Sequence, residues 1–189
     1  KPVGAESGTL FIQRAGKSLR EFLFSDVELS YISNNISLLS SHLLKSPSDM
    51  ALRKATSTTD GDLLLLVNST DGSLATYSIL RGQNVIAPSL STTDGEFVNV
   101  GVDVDQIYFT VKRTISSADK YYVECFNDDN TTDSAKLYSG GSKPSTTTVT
   151  GLSHLEGKTV KVIADDQMQL DKTVSSGQIT LDAVPTTYV

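Results

Sequence analysis

One turn signature occurs three times in this chain and limits what the chain can fold into. It reads "TTDGD" at 58–62, "STDGS" at 69–73 and "TTDGE" at 92–96, and each copy lies between runs rich in apolar residues. Asp-Gly between such runs is a strong short-range signal for a β-hairpin, because both residues tolerate the positive φ angles of a tight turn. The repeat therefore predicts consecutive antiparallel hairpins, and we expect a mainly β fold.

The apolar runs around these turns have the patterns of strands. "LLLLV" at 63–67 is apolar throughout, which is typical of a strand buried on both faces. "LATYSIL" at 74–80 alternates in part, as expected of a strand with one exposed face. "IYFTVKRTI" and "YYVECF" form a further predicted pair joined through "SSADK", and Gly16 is predicted to turn a hairpin within "TLFIQRAGKSLREFLFS".

A single stretch of the chain has helical spacing. Ile36, Leu39 and Leu43 recur at intervals of three and four residues, an asparagine precedes them, and Pro47 follows them. Apolar residues at this spacing, with a capping residue before and a proline after, are typical of a short helix. The sequence therefore predicts one short helix near 36–45.

The polar stretch 128–148 separates two regions of the chain. It is rich in turn formers, so it is predicted to be a linker or a pair of loops. The region before it, 8–127, is predicted to form antiparallel hairpin sheets together with the short helix. The region after it, 149–189, is predicted to be a small β-domain, either a small barrel or a sheet of three to four strands. Both ends of the chain read like the interior of a longer protein, and we expect a fragment.

Composition excludes several classes of function. Sixteen basic residues against twenty-two acidic ones give a net charge of −6, which disfavours a general nucleic-acid binder because an acidic surface repels phosphates. Cys125 is the only cysteine, so neither an internal disulfide nor a cysteine-based metal site can form. The longest apolar run, 63–67, is too short to span a bilayer as a helix.

The stretch "GLSHLEGKT" at 151–159 is similar to a nucleotide-binding P-loop. A P-loop has four residues between its first glycine and the Gly-Lys pair, and it opens a helix whose N-terminus faces the phosphate. Here Gly151 and Gly157 enclose five residues, and "TVKVIAD" follows with the alternation of a strand. We therefore expect a turn entering a strand, with Lys158 in solvent, and we predict no cofactor.

Other residues that could carry chemistry are better explained as parts of turns and surfaces. The two histidines lie in different predicted domains, and no nucleophile-elbow pattern accompanies them. The carboxylate clusters lack the spacing of an EF-hand loop, so solvated turns are expected, with a bound cation left open at the middle cluster. Sequons matter only in a secreted eukaryotic protein. The histidines are His42 and His154. The carboxylate clusters are Asp103/Asp105, Asp128/Asp129/Asp133 and Asp165/Asp166, and the sequons begin at Asn35, Asn68 and Asn130.

Several blocks, taken in order, resemble one protein family. They are "FIQRAGKSLREFLFSDVELSY", "ISLLSSHLLKSPSDMA", "LLLLVNSTDGSLATYSILRGQNV", "DGEFVNVGV", "IYFTVKRTI" with "KYYVECF", and "GLSHLEGKTVKVIADDQMQLDKTVSSGQITL". Together they look like part of the nozzle, or tail tubular protein, of short-tailed phages and prophages. This chain has no tryptophan in "LLLLVN", where one is frequent in the family, and it ends before the family's further blades.

The resemblance implies both a fold and a biological setting. It implies a partial β-propeller-like body with a small β-domain, in a protein that assembles as a homo-oligomeric ring in the virion tail, after synthesis in the host cytoplasm. The partners implied are other virion tail proteins, with passing DNA contacted non-specifically at most, and no catalytic residue is implied.

Three functions compete at this point. The first is a non-enzymatic structural part of a phage tail that acts by protein–protein assembly around a DNA-exit channel. The second is a carbohydrate-binding β-module, whose candidate aromatic residues are Tyr108, Tyr121, Tyr122 and Tyr138, although we expect most of them to pack within the sheets. The third is a hydrolase acting on a cell-wall or surface polymer, which the absence of identifiable paired carboxylates disfavours.

Overall fold

The computed structural model of the protein describes residues 1–5, 8–57, 60–127, 133–135 and 146–188. The predicted mainly β fold is confirmed, and the helical segments of the described residues are single 3₁₀ turns. The chain divides into two compact units, Lys1–Arg113 with Asp119–Phe126 and Thr114–Ala118 with Asn127–Val189. The predicted linker at 128–148 lies largely outside the described residues.

Three antiparallel sheets make up the first unit. Strands that are neighbours in sequence are also neighbours in space, with orders β1-β2-β3-β4, β5-β6-β7-β8 and β11-β10-β9. The strands are β1 (Val3–Gly4), β2 (Thr9–Ile12), β3 (Leu19–Ser25), β4 (Ser30–Asn35), β5 (Pro47–Arg53), β6 (Asp62–Asn68), β7 (Leu74–Leu80), β8 (Val85–Ser91), β9 (Glu96–Asp103), β10 (Gln106–Ile115) and β11 (Ala118–Cys125).

In the second sheet, β6 is buried on both of its faces. Leu64 and Leu66 of β6 pack with Leu10 and Leu19 of the first sheet, whereas Leu65 packs with residues of the third sheet. Successive side chains of a strand point to opposite faces, so an entirely apolar strand can serve two cores. The prediction that 63–67 is a strand buried on both sides is confirmed.

The Asp-Gly turns differ in part from the expectation. The copies at 58–62 and 69–73 lie between β5 and β6 and between β6 and β7, as predicted, but the copy at 92–96 connects β8 of the second sheet to β9 of the third. Positive φ is found at Gly72 and Gly95 and not at the aspartates before them. These connections are longer than two residues, so they do not need the positive φ pair of a tight hairpin turn. Gly16 has φ +69 between the paired strands β2 and β3, as predicted.

The predicted helix near 36–45 is wrong. Turns lead into a 3₁₀ helix of three residues, Ser41–Leu43. Serine hydroxyls bind neighbouring strands instead of continuing a helix: Ser37 Oγ accepts the Leu19 amide at 2.9 Å, and the Ser40 hydroxyl lies 3.0 Å from the Tyr77 hydroxyl. Such side-chain hydrogen bonds compete with helix formation.

The second unit is a nested set of antiparallel pairs around its own core. β12 (Thr148–Thr150) pairs with β17 (Gln178–Thr180), β13 (Thr159–Val160) with β16 (Lys172–Thr173), and β14 (Ile163–Ala164) with β15 (Gln167–Met168). The β character predicted for 149–189 is confirmed, but the described strands form three two-stranded ladders and close no barrel. The core contains Val149, Leu152, Val162, Ala164, Val174, Ile179 and Leu181.

Candidate functional site: two exposed sheet surfaces

The first sheet presents an aromatic cluster to solvent. Phe22 and Phe24 lie two residues apart on β3, and Tyr31 of β4 stands directly opposite Phe24. The Phe22 and Tyr31 rings stack at 5.2 Å between centroids, and the Phe24 ring meets Tyr31 edge-on at 5.3 Å. Their exposed fractions are 44%, 48% and 68%. We call these three residues the first-sheet outer surface.

A fixed polar frame lies beside the first-sheet outer surface. Arg20 Nε donates to Gln13 Oε1 at 3.0 Å, and Arg20 Nη1 donates to the Ser33 carbonyl at 2.9 Å. Aromatic pairs in this geometry gain about 0.5–1.5 kcal/mol beyond their burial. These ring contacts hold the three aromatic side chains in one arrangement within the single chain.

A second exposed surface lies on the third sheet. Tyr108 of β10 and Tyr121 of β11 are 42% and 64% exposed, and Val123 is 78% exposed. We call these three residues the third-sheet outer surface. The Lys112 ammonium donates to Glu96 Oε2 at 2.7 Å, and this hydrogen bond raises the pKa of Lys112, against a smaller opposing effect of desolvation.

The tyrosines predicted as candidate sugar platforms are mostly in solvent. Tyr108, Tyr121 and Tyr122 are all at least 41% exposed, so the expectation that most of them pack within the sheets is wrong for these three. Tyr108 lies on β10, the central strand of the third sheet, and Tyr121 and Tyr122 lie on the edge strand β11. Tyr138 lies outside the described residues.

The P-loop-like stretch has the predicted local structure. A 3₁₀ turn covers Ser153–Leu155, Gly157 turns the chain with φ +76, and β13 begins at Thr159. Lys158 is exposed, as expected. The nearby Glu156 carboxylate accepts the amides of Ser176 and Gly177 at 2.9 and 2.8 Å, so it supports a turn of the same unit.

The remaining sequence candidates are distributed over the surface. His42 and His154 are both exposed, and they belong to different compact units. Within the described ranges, no group of three His, Cys, Asp or Glu side chains is arranged to hold a metal ion. Asp103, Asp105, Asp133 and Asp166 are exposed, whereas Asp128, Asp129 and Asn130 lie outside the described residues.

Asp165 and Asn68 have structural roles. Asp165 and Asp166 have φ angles of +47° and +60° and form the tight turn between β14 and β15. Asp165 Oδ1 accepts the amides of Thr186 and Thr187 at 2.7 and 3.0 Å. Asn68 is fully buried, so its side chain is inaccessible to a glycosylating enzyme in the folded chain.

Asn68 holds a loop that sequence reasoning did not identify. Its Oδ1 accepts the Lys45 amide at 2.9 Å, and its Nδ2 donates to the Leu43 carbonyl and to Ser73 Oγ, both at 2.9 Å. These bonds join the segment before β5 to the turn after β6. The sequence analysis noted Asn68 only as part of a sequon, and no local signal marks it as a buried residue.

Two carboxylates in the first unit have lowered pKa values. The hydrogen bond from Lys45, followed by that from Ser73, lowers the pKa of Asp71 to about 2. Burial opposes ionisation of Asp49, but hydrogen bonds from the amides of Val100 and Met50 outweigh it and hold the Asp49 pKa below 3.8. Both groups stabilise turns or strand contacts.

Comparisons with known proteins add no relative to this description. No protein-family model matches the chain, and a search of curated proteins finds no match. In the part of the chain that is described, no helix has the length and apolar character needed to cross a bilayer.

Proposed function

We propose that the protein is a non-enzymatic structural component of a phage or prophage tail, of the nozzle (tail tubular protein) type of short-tailed phages. The observation that supports this proposal is the packing of three antiparallel sheets. In the second sheet, β6 is buried on both faces, while the first and third sheets keep aromatic side chains in solvent. A fragment of a propeller-like ring component would contain consecutive sheets of this kind.

The proposed activity is assembly through the first-sheet outer surface. Soluble monomers seldom keep contiguous apolar patches exposed, and aromatic residues are enriched at the centres of protein interfaces. The first-sheet outer surface has an ordered aromatic centre beside the fixed Arg20 side chain. We assign this surface to the contact with a neighbouring subunit of a homo-oligomeric ring or with another tail protein.

The charge of the chain is compatible with a DNA-exit channel. A basic lining would retain phosphates, whereas a net charge of −6 limits DNA to transient, non-specific contacts. The proposed location is the virion tail, after synthesis in the host cytoplasm, and the proposed mechanism requires no cofactor and no membrane span.

The proposal is tested on the full-length parent protein by negative-stain microscopy. We expect rings from the wild type, and we expect the double substitution Phe24→Ser with Tyr31→Ser to prevent them while the far-ultraviolet circular dichroism spectrum is retained. Leu90→Ser is the matched control, because Leu90 is a 39% exposed apolar residue on β8 and lies outside both named surfaces. A wild type that stays monomeric at high concentration would contradict the proposal.

A carbohydrate-binding β-module is the second candidate, and one observation favours it. Tyr108, Tyr121 and Tyr122 are exposed, as aromatic residues that contact sugars must be. The Phe22 and Tyr31 rings stack on each other, which makes them poorer platforms. A glycan array distinguishes the candidates: binding that Tyr121→Ala abolishes would favour the module, and an array without binding would remove it.

A further inference from the structure

Within the described ranges, β11 is an exposed edge strand whose sequence supplies charged side chains, Asp119, Lys120 and Glu124, as its protection. It forms one edge of the third sheet among the described residues, and its eight residues include neither proline nor glycine. Long edge strands normally carry a proline, a bulge or a cover, because their outward amides and carbonyls can pair with another chain. The side chains of Tyr121, Tyr122 and Val123 are 64%, 41% and 78% exposed.

Some other edge strands of the first unit carry such protection, whereas β4, an edge of the first sheet, contains neither proline nor glycine and pairs with β3 without a register shift. β8 contains Pro88, and β5 starts at Pro47, where its pairing with β6 shifts register. β9 contains Gly101, and its pairing with β10 shifts register opposite Thr110 and Val111. β11 differs from β4 in that it carries charged residues of both signs, Lys120 and Glu124, which can lie opposite each other when the strand pairs with a second copy of itself.

The direction of the outward backbone groups follows from the ladder between β10 and β11. The Phe126 amide donates to the Ile107 carbonyl at 2.9 Å, directly after β11. In an antiparallel ladder the backbone groups of alternate residues face the same neighbour. The amides and carbonyls of Tyr121 and Val123 therefore point away from β10, towards the open edge.

We propose that β11 pairs antiparallel with β11 of a second copy of this chain, in the register centred on Tyr122. In this register Lys120 lies opposite Glu124 of the second copy, and the two-fold axis repeats the same pair on the other side. Tyr121 lies opposite Val123 of the second copy, again twice. Opposite charges and aromatic–β-branched pairs are the favourable cross-strand combinations.

Neighbouring registers lose this complementarity. If the centre moves to Tyr121, Lys120 faces Tyr122 and Glu124 faces Ala118. If the centre moves to Val123, Glu124 faces Tyr122, and Lys120 no longer lies opposite an acidic residue of β11. Arg113 holds the Glu124 carboxylate in position by hydrogen bonds of 2.7 and 2.8 Å, so the acceptor for Lys120 is ordered in the single chain.

This contact is independent of the proposed tail function. It uses the edge of the third sheet and the backbone of β11, whereas the proposed ring uses the first-sheet outer surface. A two-fold contact is also closed by itself and does not generate a ring. The failure of one proposal therefore leaves the other in place, and the two are distinguished by which variants disrupt which assembly.

Directed disulfide formation tests the register. In a Cys125→Ser background, Tyr122→Cys places two thiols opposite each other at a pair without backbone hydrogen bonds. The Cα atoms there are about 4.5 Å apart, within the range that a disulfide bridges. Tyr121→Cys is the matched control, because its two copies would lie roughly 8 Å apart along the strands. We expect rapid oxidation to a covalent dimer for Tyr122→Cys alone; preferential cross-linking of Tyr121→Cys would overturn the proposed register.

Sedimentation equilibrium tests the association without introducing cysteines. Lys120→Glu puts like charges opposite each other, and we expect it to raise the dimer dissociation constant at least tenfold. Lys54→Glu makes the same charge change at an exposed site after β5 and is expected to leave the constant unchanged. A monomeric wild type, or equal effects of the two substitutions, would overturn the proposal.

Discussion

At the scale of single residues, the Asp-Gly corners combine a hydrogen-bonding aspartate with a glycine that leaves room. Asp71 Oδ1 accepts the Ser73 hydroxyl at 2.6 Å, and its Oδ2 accepts the Lys45 ammonium at 2.5 Å. A Cβ added at Gly72 would lie 2.4 Å from the Cβ of Glu96. The Phe97 amide also donates to the Gly72 carbonyl at 2.9 Å. The corner thus connects the second sheet to β9.

Asp71→Asn should make the free energy of unfolding depend less on pH in the acid range. The pKa of Asp71 in the folded chain is about 2, below its ordinary value of 3.8, so its contribution is present above pH 4 and is lost as pH falls towards 2. Because the Asp71 side chain is 38% exposed, solvent screening reduces this contribution to about 1 kcal/mol. Urea unfolding at pH 7 and pH 3 measures it, with Asp105→Asn in an exposed turn as the control. Equal losses for both variants would contradict this role of Asp71.

Gly72→Ala should destabilise the first unit by more than about 2 kcal/mol. Gly72 has φ +63, where a non-glycine residue is disfavoured by about 1–2 kcal/mol, and the added methyl group would clash with Glu96. Gly82→Ala is the control, since a Cβ there would meet nothing within 4 Å, and surface changes of this kind stay within about 0.5 kcal/mol. Thermal unfolding of the two variants provides the comparison, and equal midpoints would refute the close approach at Gly72.

The positions of positive φ angles were only partly predictable from the sequence. They were expected in the Asp-Gly turns, but the positive φ pairs of two-residue turns occur at Ser116-Ser117, Asp165-Asp166 and Ser176-Gly177. Whether a turn is tight depends on where the two strands stop pairing. That point is set by cross-strand packing and not by the turn residues alone.

At the scale of elements, strands with a strong apolar pattern were predictable, whereas two largely exposed edge strands, β4 and β8, were not. β6, β7 and β10 coincide with predicted runs, because burial requires apolar side chains there. β4, "SYISNN", and β8, "VIAPSLS", were not predicted, since both are largely exposed and receive their order from the strand beside them. Apolar periodicity in a sequence indicates which side chains are buried, and β4 and β8 bury few side chains.

The serine-rich stretch before β5 shows a second limit at this scale. Its leucine spacing matched a helix, yet Leu38 and Leu39 are 71% and 93% exposed. The buried residues of the stretch include two serines, Ser37, which contacts β3, and Ser40, which contacts Tyr77 of β7. Helical periodicity is informative only when the apolar face has a surface to pack on.

Leu64→Ala and Leu65→Ala should destabilise the first unit to a similar degree, although the two side chains point in opposite directions. Both are at most 1% exposed, and removing a buried leucine side chain costs about 2–5 kcal/mol. Leu90→Ala, on the exposed face of β8, should cost less than 1 kcal/mol. Chemical denaturation measures all three, and a small effect for either core variant would mean that only one face of β6 is buried.

At the scale of the whole molecule, the two compact units have separate cores. Val174, 1% exposed, belongs to the core of the second unit, and Leu64 to a core of the first. We predict two calorimetric transitions. Val174→Ala should lower the midpoint temperature of one transition only, and Leu64→Ala should lower that of the other only. Each kcal/mol should shift the affected midpoint by roughly 4–8 °C for domains of this size. A single transition lowered by both substitutions would show that the units unfold together.

Fold class was accessible from sequence, but the interaction surfaces were not. The turn signatures and apolar runs predict antiparallel sheets, because hydrogen bonding and burial act locally along each strand. Which tyrosines remain exposed depends on which sheet lies last in the stack, and that is a property of the whole arrangement. The exposure of Tyr121 therefore appeared only in the structure.

The central proposal is that this chain assembles through an exposed sheet surface. A cryo-electron microscopy map of the proposed tail protein that contains this chain tests it most directly. It should show a ring in which Phe22, Phe24 and Tyr31 are buried against a neighbouring molecule. A ring that leaves these three side chains in solvent, or particles that remain single subunits, would contradict it.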